Sequence, residues 1–181
     1  MKKPIPGEPD LKQVIRNVKD FPKPGIVFRD ITTLIADPRA MRYAVDKLAD
    51  EAKTRKAEVV LAAESRGYIF GAAVAYKLGL PLVIVRKPGK LPAATIRHTY
   101  ELEYGTDTLE IHTDAIKHGQ RVILIDDLLA TGGTIAACAR LAETLGGNVV
   151  GAAFVIELSF LKGRERLKGM PVYSIVDYES E

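Results

Sequence analysis

Two adjacent carboxylates, Asp126 and Asp127, end an apolar run, and a Thr-Gly-Gly-Thr cluster follows four residues later: RVILIDDLLATGGTI (121–135). Gly132 and Gly133 can take backbone conformations closed to other residues, which lets successive N–H groups point inward. Thr131 and Thr134 add hydroxyl donors, and a helix opening here would present the positive end of its dipole. Such a corner suits a phosphate dianion. The carboxylates suit a different part of a ligand. They accept hydrogen bonds from vicinal hydroxyls such as those of ribose, and they favour positive charge, either Mg²⁺ or an oxocarbenium-like sugar. A 5-phosphoribosyl group combines these demands. Either DD or GG alone would read as a helix cap beside solvated acids; the whole run argues against that.

Other charged clusters extend the pattern. ESRG (64–67) interrupts an apolar run. Arg66 is a permanent, multidentate donor for phosphate oxygens, and Gly67 lets the backbone approach a ligand. Taken alone, ESRG also reads as a cap followed by a surface arginine. Arg86, Lys87 and Lys90 form a basic cluster whose default reading is a solvated charge run. His98, His112 and His118 are scattered surface residues, and Tyr100 reads as hairpin packing rather than chemistry. There is no GxGxxG after a strand, no GxxxxGK[ST] and no cysteine–histidine set for zinc.

The elements that must position these residues follow from hydropathy. Asp37-Pro38 starts a helix, and Met41, Ala44, Val45, Leu48, Ala49 and Ala52 continue it at helical spacing over 38–54. EVVLAA (58–63), PLVIVRK (81–87), RVILID (121–126) and NVVGAAFVIEL (148–158) are unbroken apolar runs, as buried parallel strands require. VYSIV (172–176) is a further strand; YIFGAAVAYKLG (68–79) and Thr134–Leu145 are helices. LKQVIRNV (11–18) reads as a short helix, FPKPGI (21–26) as a rigid turn, and VFRDITTLI (27–35) as a short strand followed by a turn. Residues 87–112 are polar, an exposed β-hairpin or long flexible loop with Glu103-Tyr104-Gly105 near its tip. Alternating strands and helices predict an α/β fold with a mostly parallel central sheet flanked by helices. Ligands of such sheets bind beyond the carboxyl ends of the strands.

Composition sets the bounds. The 181 residues suit one domain, 1–181, and the 47% apolar and 27% charged fractions are those of a globular chain. A net charge of +3, from 26 basic and 23 acidic residues, is too mild to indicate nucleic acid. No stretch has the length of a membrane span, and MKKPIPGEPD lacks a signal-peptide core. The lone cysteine, Cys138, reads as a core residue in a reducing compartment. A cytoplasmic protein is expected.

VILIDDLLATGGT resembles the phosphoribosyl-pyrophosphate signature of the type I phosphoribosyltransferases. FPKPGIVFRDIT (21–32), ESRGYIFG (64–71), VRKPGKLP (85–92), YELEYGTDTLEI (100–111) and ELSFLKGRERL (157–167) extend the resemblance over nearly the whole chain and narrow it to the adenine-using members. The resemblance implies transfer of a 5-phosphoribosyl group from 5-phosphoribosyl-1-pyrophosphate to adenine, with Mg²⁺ bound mainly through the substrate and no direct protein ligand assigned. It implies a small N-terminal hood over 1–35, a core over 36–181, a mobile hairpin at about 93–112 and a homodimer. By residue, it implies that Ala130, Thr131, Gly132, Gly133 and Thr134 hold the 5′-phosphate, while Asp126 and Asp127 hold the ribose hydroxyls. Ser65 and Arg66 belong to a pyrophosphate loop in which Glu64–Ser65 is a candidate cis peptide, and Arg66 takes part in catalysis. Arg86, Lys87 and Lys90 face pyrophosphate. Glu103 is the acid/base group beside Tyr104 on the closing loop. Val27, Phe28 and Arg29 read adenine, and Leu158 covers its other face. Two rival readings remain: a phosphoribosyltransferase for another purine, and a regulator that only senses phosphoribosyl pyrophosphate.

Overall fold

The structure, a computed structural model, describes residues 8–101 and 105–181. Five strands form the central sheet: β3 (Val59–Ala63), β4 (Leu82–Val85), β7 (Arg121–Leu129), β8 (Asn148–Leu158) and β9 (Val172–Tyr178). Their order is β4-β3-β7-β8-β9, and every neighbouring pair is parallel. Helices α3 (Pro38–Thr54) and α4 (Gly67–Leu78) cover one face, and α5 (Gly133–Thr144) covers the other. The unbroken apolar runs follow from this double cover: Ile123 and Ile125 join the core under α3 and α4, while Val122 and Leu124 join the core under α5.

The order reverses between β3 and β7. From β3 the chain crosses through α4 to β4 on one side; from β7 it crosses through α5 to β8 on the other. The two loops that leave these strands, residues 64–66 and 130–132, therefore part at a crevice above the sheet. β7 also runs further than expected. The apolar run predicts an end at Asp126, but pairing continues to Leu129, with Leu128 opposite Ile156 and Leu129 opposite Glu157 on β8. On the β3 side pairing stops at Ala62 opposite Ile125. Asp126 and Asp127 thus lie where β7 has kept one neighbour and lost the other.

Outside the sheet, β1 (Arg16–Lys19) and β2 (Val27–Asp30) pair only with each other, antiparallel. The helix expected over 11–18 stops early: α1 spans Leu11–Val14, and the rest becomes β1. Local propensity loses here to a partner far along the chain, since Arg16 pairs with Asp30 in register and its Nε donates to the Asp30 carboxylate at 2.9 Å. After β2, α2 (Thr32–Ala36) replaces the expected turn, with Thr32 N–H donating to Asp30 Oδ1 at 2.9 Å. The polar segment after β4 is a hairpin, with β5 (Thr95–Glu101) antiparallel to β6 (Thr106–His112). It joins the sheet edge where Arg86 and Glu110 exchange backbone hydrogen bonds.

Two of the helix-bounding signals are realised. Asp37 accepts from the N–H of Arg39 and Ala40 ahead of Pro38, and Gly79 closes α4 with φ +64°. Gly71 on α4 has a tighter role: a Cβ there would lie 2.7 Å from Ala62 Cβ on β3. Gly71→Ala should therefore lose stability despite its higher helix propensity, by about 1–3 kcal/mol for an overpacked contact. Urea unfolding checks this, and a variant as stable as the parent would show that α4 does not press on β3.

Candidate active site

The crevice holds a cleft of about 230 Å³ lined by Glu64–Arg66 from the β3–α4 loop and Asp126–Ile135 from the end of β7 and the start of α5. The Ser65–Arg66 loop and the DDLLATGGT run, 60 residues apart in sequence, meet here. A larger hollow of about 330 Å³ beside the start of α3, lined by Pro9, Pro38, Arg39, Arg42 and Tyr43, contains none of the predicted site residues.

On the sugar side, Asp126 Oδ1 accepts from the N–H of Asp127 at 2.9 Å, an amide that points to the side β3 has left. The same oxygen lies 2.7 Å from where a Cβ on Gly67 would stand, so α4 can begin beside this carboxylate only with glycine. Asp127 is buried, and Arg66 Nε stands 2.9 Å from its Oδ2. The N–H is not aimed at that oxygen, and Oδ2 makes no hydrogen bond among the described residues. That oxygen is itself buried and keeps unused acceptor capacity. Burial pushes the Asp126 carboxyl well above the ordinary aspartate value, and the adjacent Asp127 pushes it further. Burial also raises Asp127, against the pull of Arg66.

On the phosphate side, Gly132 has φ +82° and precedes α5, whose first turn has no side-chain cap. A Cβ on Gly132 would run into the carbonyl of Gly163, so glycine is required there twice over. Ala130, Thr131, Gly133 and Thr134 complete the wall, leaving first-turn amides without intrahelical acceptors. One wall was not foreseen: the Tyr100 ring of β5 and Arg166 both lie against Gly133, and Arg166 donates to the carbonyl of Glu101 at 3.1 Å. The stretch ELSFLKGRERL carries Arg166, but nothing in its local pattern says which turn it will meet.

The cation cluster is arranged differently from the expectation that it faces a ligand directly. Arg86 Nε donates to Glu64 Oε2 at 2.8 Å, and Lys87 N–H donates to Glu64 Oε1 at 2.8 Å. Burial works to raise the Glu64 carboxyl, but the Lys87 amide and the Arg86 guanidinium outweigh it and hold the group below the usual range. Glu64, expected only to precede a cis bond, is thus the anchor of this cluster; the Glu64–Ser65 peptide is cis. Lys87 Nζ is paired with Asp107 on β6, and Lys90 makes no ion pair among the described residues. Glu103 and Tyr104 lie outside the described residues.

Three of the residues expected at the base, Val27, Phe28 and Arg29, come from the separate β1–β2 sheet. The Arg66 guanidinium lies 5.5 Å from the Phe28 ring centroid, and Phe21 meets Phe28 edge-on at 5.2 Å. Val27 shares this half-buried strand. The Arg29 side chain turns away: it is buried over the Tyr178 ring at 4.0 Å and donates to Asn17 Oδ1 at 2.6 Å. Only its main chain remains for a base. Tyr178 is the register partner of Leu158, so Leu158 and β2 share one corner.

The phosphoribosyl transferase domain model matches residues 33–177. An adenine phosphoribosyltransferase from Clostridium perfringens (strain 13 / Type A) is 59% identical over 169 residues, covering 93% of this chain and 98% of the relative. This chain belongs to the adenine phosphoribosyltransferase family. A crystal structure of an adenine phosphoribosyltransferase from Thermoanaerobacter pseudethanolicus ATCC 33223 matches with a TM-score of 0.91 and 52% identity, covering 93% of this chain and 98% of that one. The adenine phosphoribosyltransferase of Saccharomyces cerevisiae, complexed with D-2,5-dideoxy-2,5-imino-altritol 1,6-bisphosphate and adenine, matches with a TM-score of 0.87 and 39% identity over 92% and 96% of the two chains.

The raised carboxyls have a stability consequence. The folded protein keeps protons that the unfolded chain has shed, so stability falls as pH rises from the ordinary aspartate value of 3.8 through the raised one. Asp126→Asn, which removes the larger shift, should melt higher than the parent at about pH 8, with the gap closing near about pH 3.5. Thermal scans of the ligand-free protein across that range test it; a gap of constant size would mean the pair does not carry the stored charge.

Proposed function

We propose that this chain performs the reaction of its family: it transfers a 5-phosphoribosyl group from 5-phosphoribosyl-1-pyrophosphate to adenine, giving AMP and pyrophosphate in purine salvage. One observation carries the site assignment. Arg66 stands against Asp127 on one side and the Phe28 ring on the other, so the sugar, pyrophosphate and base positions converge on one guanidinium. The yeast relative, which holds a bisphosphate and adenine together, supports the same division of the cleft.

In this reading Ala130–Thr134 bind the 5′-phosphate through α5 amides and the two threonine hydroxyls. Asp126 and Asp127 accept from the ribose hydroxyls, and their negative charge favours the positive character that C1 acquires as its bond to pyrophosphate breaks. Ser65 and Arg66 receive the leaving pyrophosphate, with Arg86, Lys87 and Lys90 around it. Adenine, held by Phe28, Leu158 and the main chain of Val27–Arg29, forms the new bond from N9 to C1 and gives up one proton. Glu103, beside Tyr104 on the hairpin, takes that proton in this direction and returns it in reverse. Holding both reactants in line supplies most of the acceleration.

Among the described residues no cluster of three or more acids, histidines or cysteines could hold a metal ion by itself. The unbonded Oδ2 of Asp127 and its raised, buried partner still fit a hard cation completed by substrate oxygens. Mg²⁺ so bound would neutralise charge on the pyrophosphate. The division into a hood over 1–35 and a core over 36–181 belongs to the same proposal, supported by a β1–β2 sheet that is separate from the central one. We assign the enzyme to the cytoplasm, since a polyphosphorylated substrate does not cross membranes unaided; cell fractionation that placed it elsewhere would end that assignment. A homodimer is supported by exposed Ile69 and Tyr76 on α4 beside Ile84 of edge strand β4, which shares a face with the α4 contact Leu82. A monomer mass by light scattering at micromolar concentration would remove it.

Adenine, phosphoribosyl pyrophosphate and Mg²⁺ should yield AMP and pyrophosphate one for one, and EDTA should stop the reaction. Asp127→Asn should fold and lose about 10- to 100-fold in kcat/KM for the phosphoribosyl substrate, the worth of one hydrogen bond to a charged group. No pyrophosphate release with adenine, or unchanged kinetics in the variant, would overturn the reading.

A further inference from the structure

Tyr100 sits at the meeting point of two predicted subsites without having been assigned to either. Its ring edge lies against Gly133, 3.3 Å from where a Cβ would stand. Its hydroxyl reaches Asp107 Oδ2 at 3.1 Å and Thr134 Oγ1 at 3.3 Å. Asp107 in turn holds Lys87 Nζ. The chain of contacts therefore runs from the first turn of α5, across the stem of the β5–β6 hairpin, to the basic cluster after β4.

The direction of each hydrogen bond follows from the number of protons. Tyr100 has one, and Asp107, held below the ordinary range despite its burial, is an ionised acceptor. Burial pushes the Tyr100 hydroxyl up to about 12, so the proton stays on tyrosine. A carboxylate is the stronger acceptor, so Tyr100 donates to Asp107. The Tyr100 oxygen can then take part in the Thr134 contact only as an acceptor, and Thr134 must be the donor. Thr134 also has a single hydroxyl proton. A phosphate dianion offers acceptors only, so Thr134 can donate to it only by withdrawing from Tyr100.

We propose that Tyr100 is a positioning residue that competes with the ligand's phosphate for the Thr134 hydroxyl proton. In the free enzyme the Thr134–Tyr100 bond ties the hairpin stem to the empty cradle. Arrival of a phosphate draws that hydrogen bond away, and the Tyr100 end of the stem is left held by ring packing on Gly133 and by the bond from Arg166 to the Glu101 carbonyl, while the Arg86–Glu110 exchange and buried Leu109 and Ile111 keep β6 on the core. Part of the phosphate affinity is thereby exchanged for loss of the Tyr100–Thr134 contact, so the β5 end of the stem responds to phosphate in the cradle. The inference rests on the reading of Thr134 as a phosphate ligand.

Tyr100→Phe keeps the ring on Gly133 and removes the competing oxygen together with its bond to Asp107, an effect the Thr134→Ala background separates out. Calorimetric titration of the free enzyme with ribose 5-phosphate should give a Kd about 2- to 10-fold tighter in this variant, the worth of one neutral hydrogen bond. Thr134→Ala should weaken the same Kd, and adding Tyr100→Phe to that background should change nothing further. If Thr134→Ala binds as the parent does, Thr134 is not a phosphate ligand and the competition falls with that reading. If Thr134→Ala weakens binding but Tyr100→Phe is unchanged or weaker, or tightens it equally without Thr134, the cradle stands and the competition is overturned.

Discussion

Two carboxylates on consecutive residues in a low-dielectric crevice are the constraint around which this molecule is arranged. Such a pair cannot be relieved by backbone alternation alone, and burial and mutual repulsion both raise Asp126. The topology makes the position possible. Beside Asp127 the sheet has lost β3, so no strand competes for the space and one amide is satisfied by the neighbouring carboxylate. The strand continues on the β8 side, so the acids stay rigid instead of fraying into solvent. The resulting corner is unfavourable when empty and favourable to a group with hydroxyls and positive character. This is a common relation between stability and function at sites built to bind charge.

Arg66 is the one cation placed against that corner, and its setting explains why it links the subsites. It caps the start of α4 at half-exposure, close enough to Asp127 for attraction and too poorly aligned for a hydrogen bond. A guanidinium held this way can turn toward phosphate oxygens without first breaking a strong bond. Its other face lies toward Phe28, on a two-stranded sheet that does not pair with the core. That separate sheet is fixed to the core elsewhere, by Arg29 stacked on Tyr178 of β9 and donating to the Ser180 carbonyl, while its bond to Asn17 ties β2 to β1. Arg29 on β2 thus serves anchorage, and Arg66 lines the cleft.

How much of this was legible depended on how local each cause was. The parallel sheet, α3 and the α5 cradle could be read because unbroken apolar runs, Asp-Pro and Thr-Gly-Gly-Thr act within a few residues. β1 could not, because Asn17 and Val18 become strand only through pairing with Phe28 and Arg29 across the turn. The extent of β7 past Asp126 depended on β8, whose partner residues there, Ile156 and Glu157, lie 28 positions further on. Among site residues, types and spacing brought out Asp126, Asp127 and Gly132, the family resemblance added Arg66, and all four line one cleft. They did not show that Glu64 would hold Arg86, that Arg29 would face inward, or that the Tyr100 hydroxyl would reach Thr134. Each of those is a contact between side chains that only the finished fold brings together.

The pairing of the remaining cations bears on how a polyanion gains entry. Arg86 and Lys87 are both bound to acids in the free protein, yet their side chains remain 34% and 46% exposed. Ion pairs at that exposure are screened and contribute little net stability, so exchanging a carboxylate partner for a phosphate oxygen costs little. The arrangement keeps the two cations oriented without leaving them as an unshielded positive patch beside the crevice. Glu157 with Arg164 differs on the acid's side only: Arg164 is half-exposed, but the Glu157 side chain is 5% exposed against 15% for Glu64 and 23% for Asp107, is bound by two guanidinium nitrogens at 2.6 Å and accepts from Ser174 as well. Removing Arg164 would strand that buried carboxylate, which is expensive. The protein therefore uses one chemical pairing in two ways: a buried, fully bonded carboxylate at the end of β8, and less enclosed carboxylates holding the cations around the cleft.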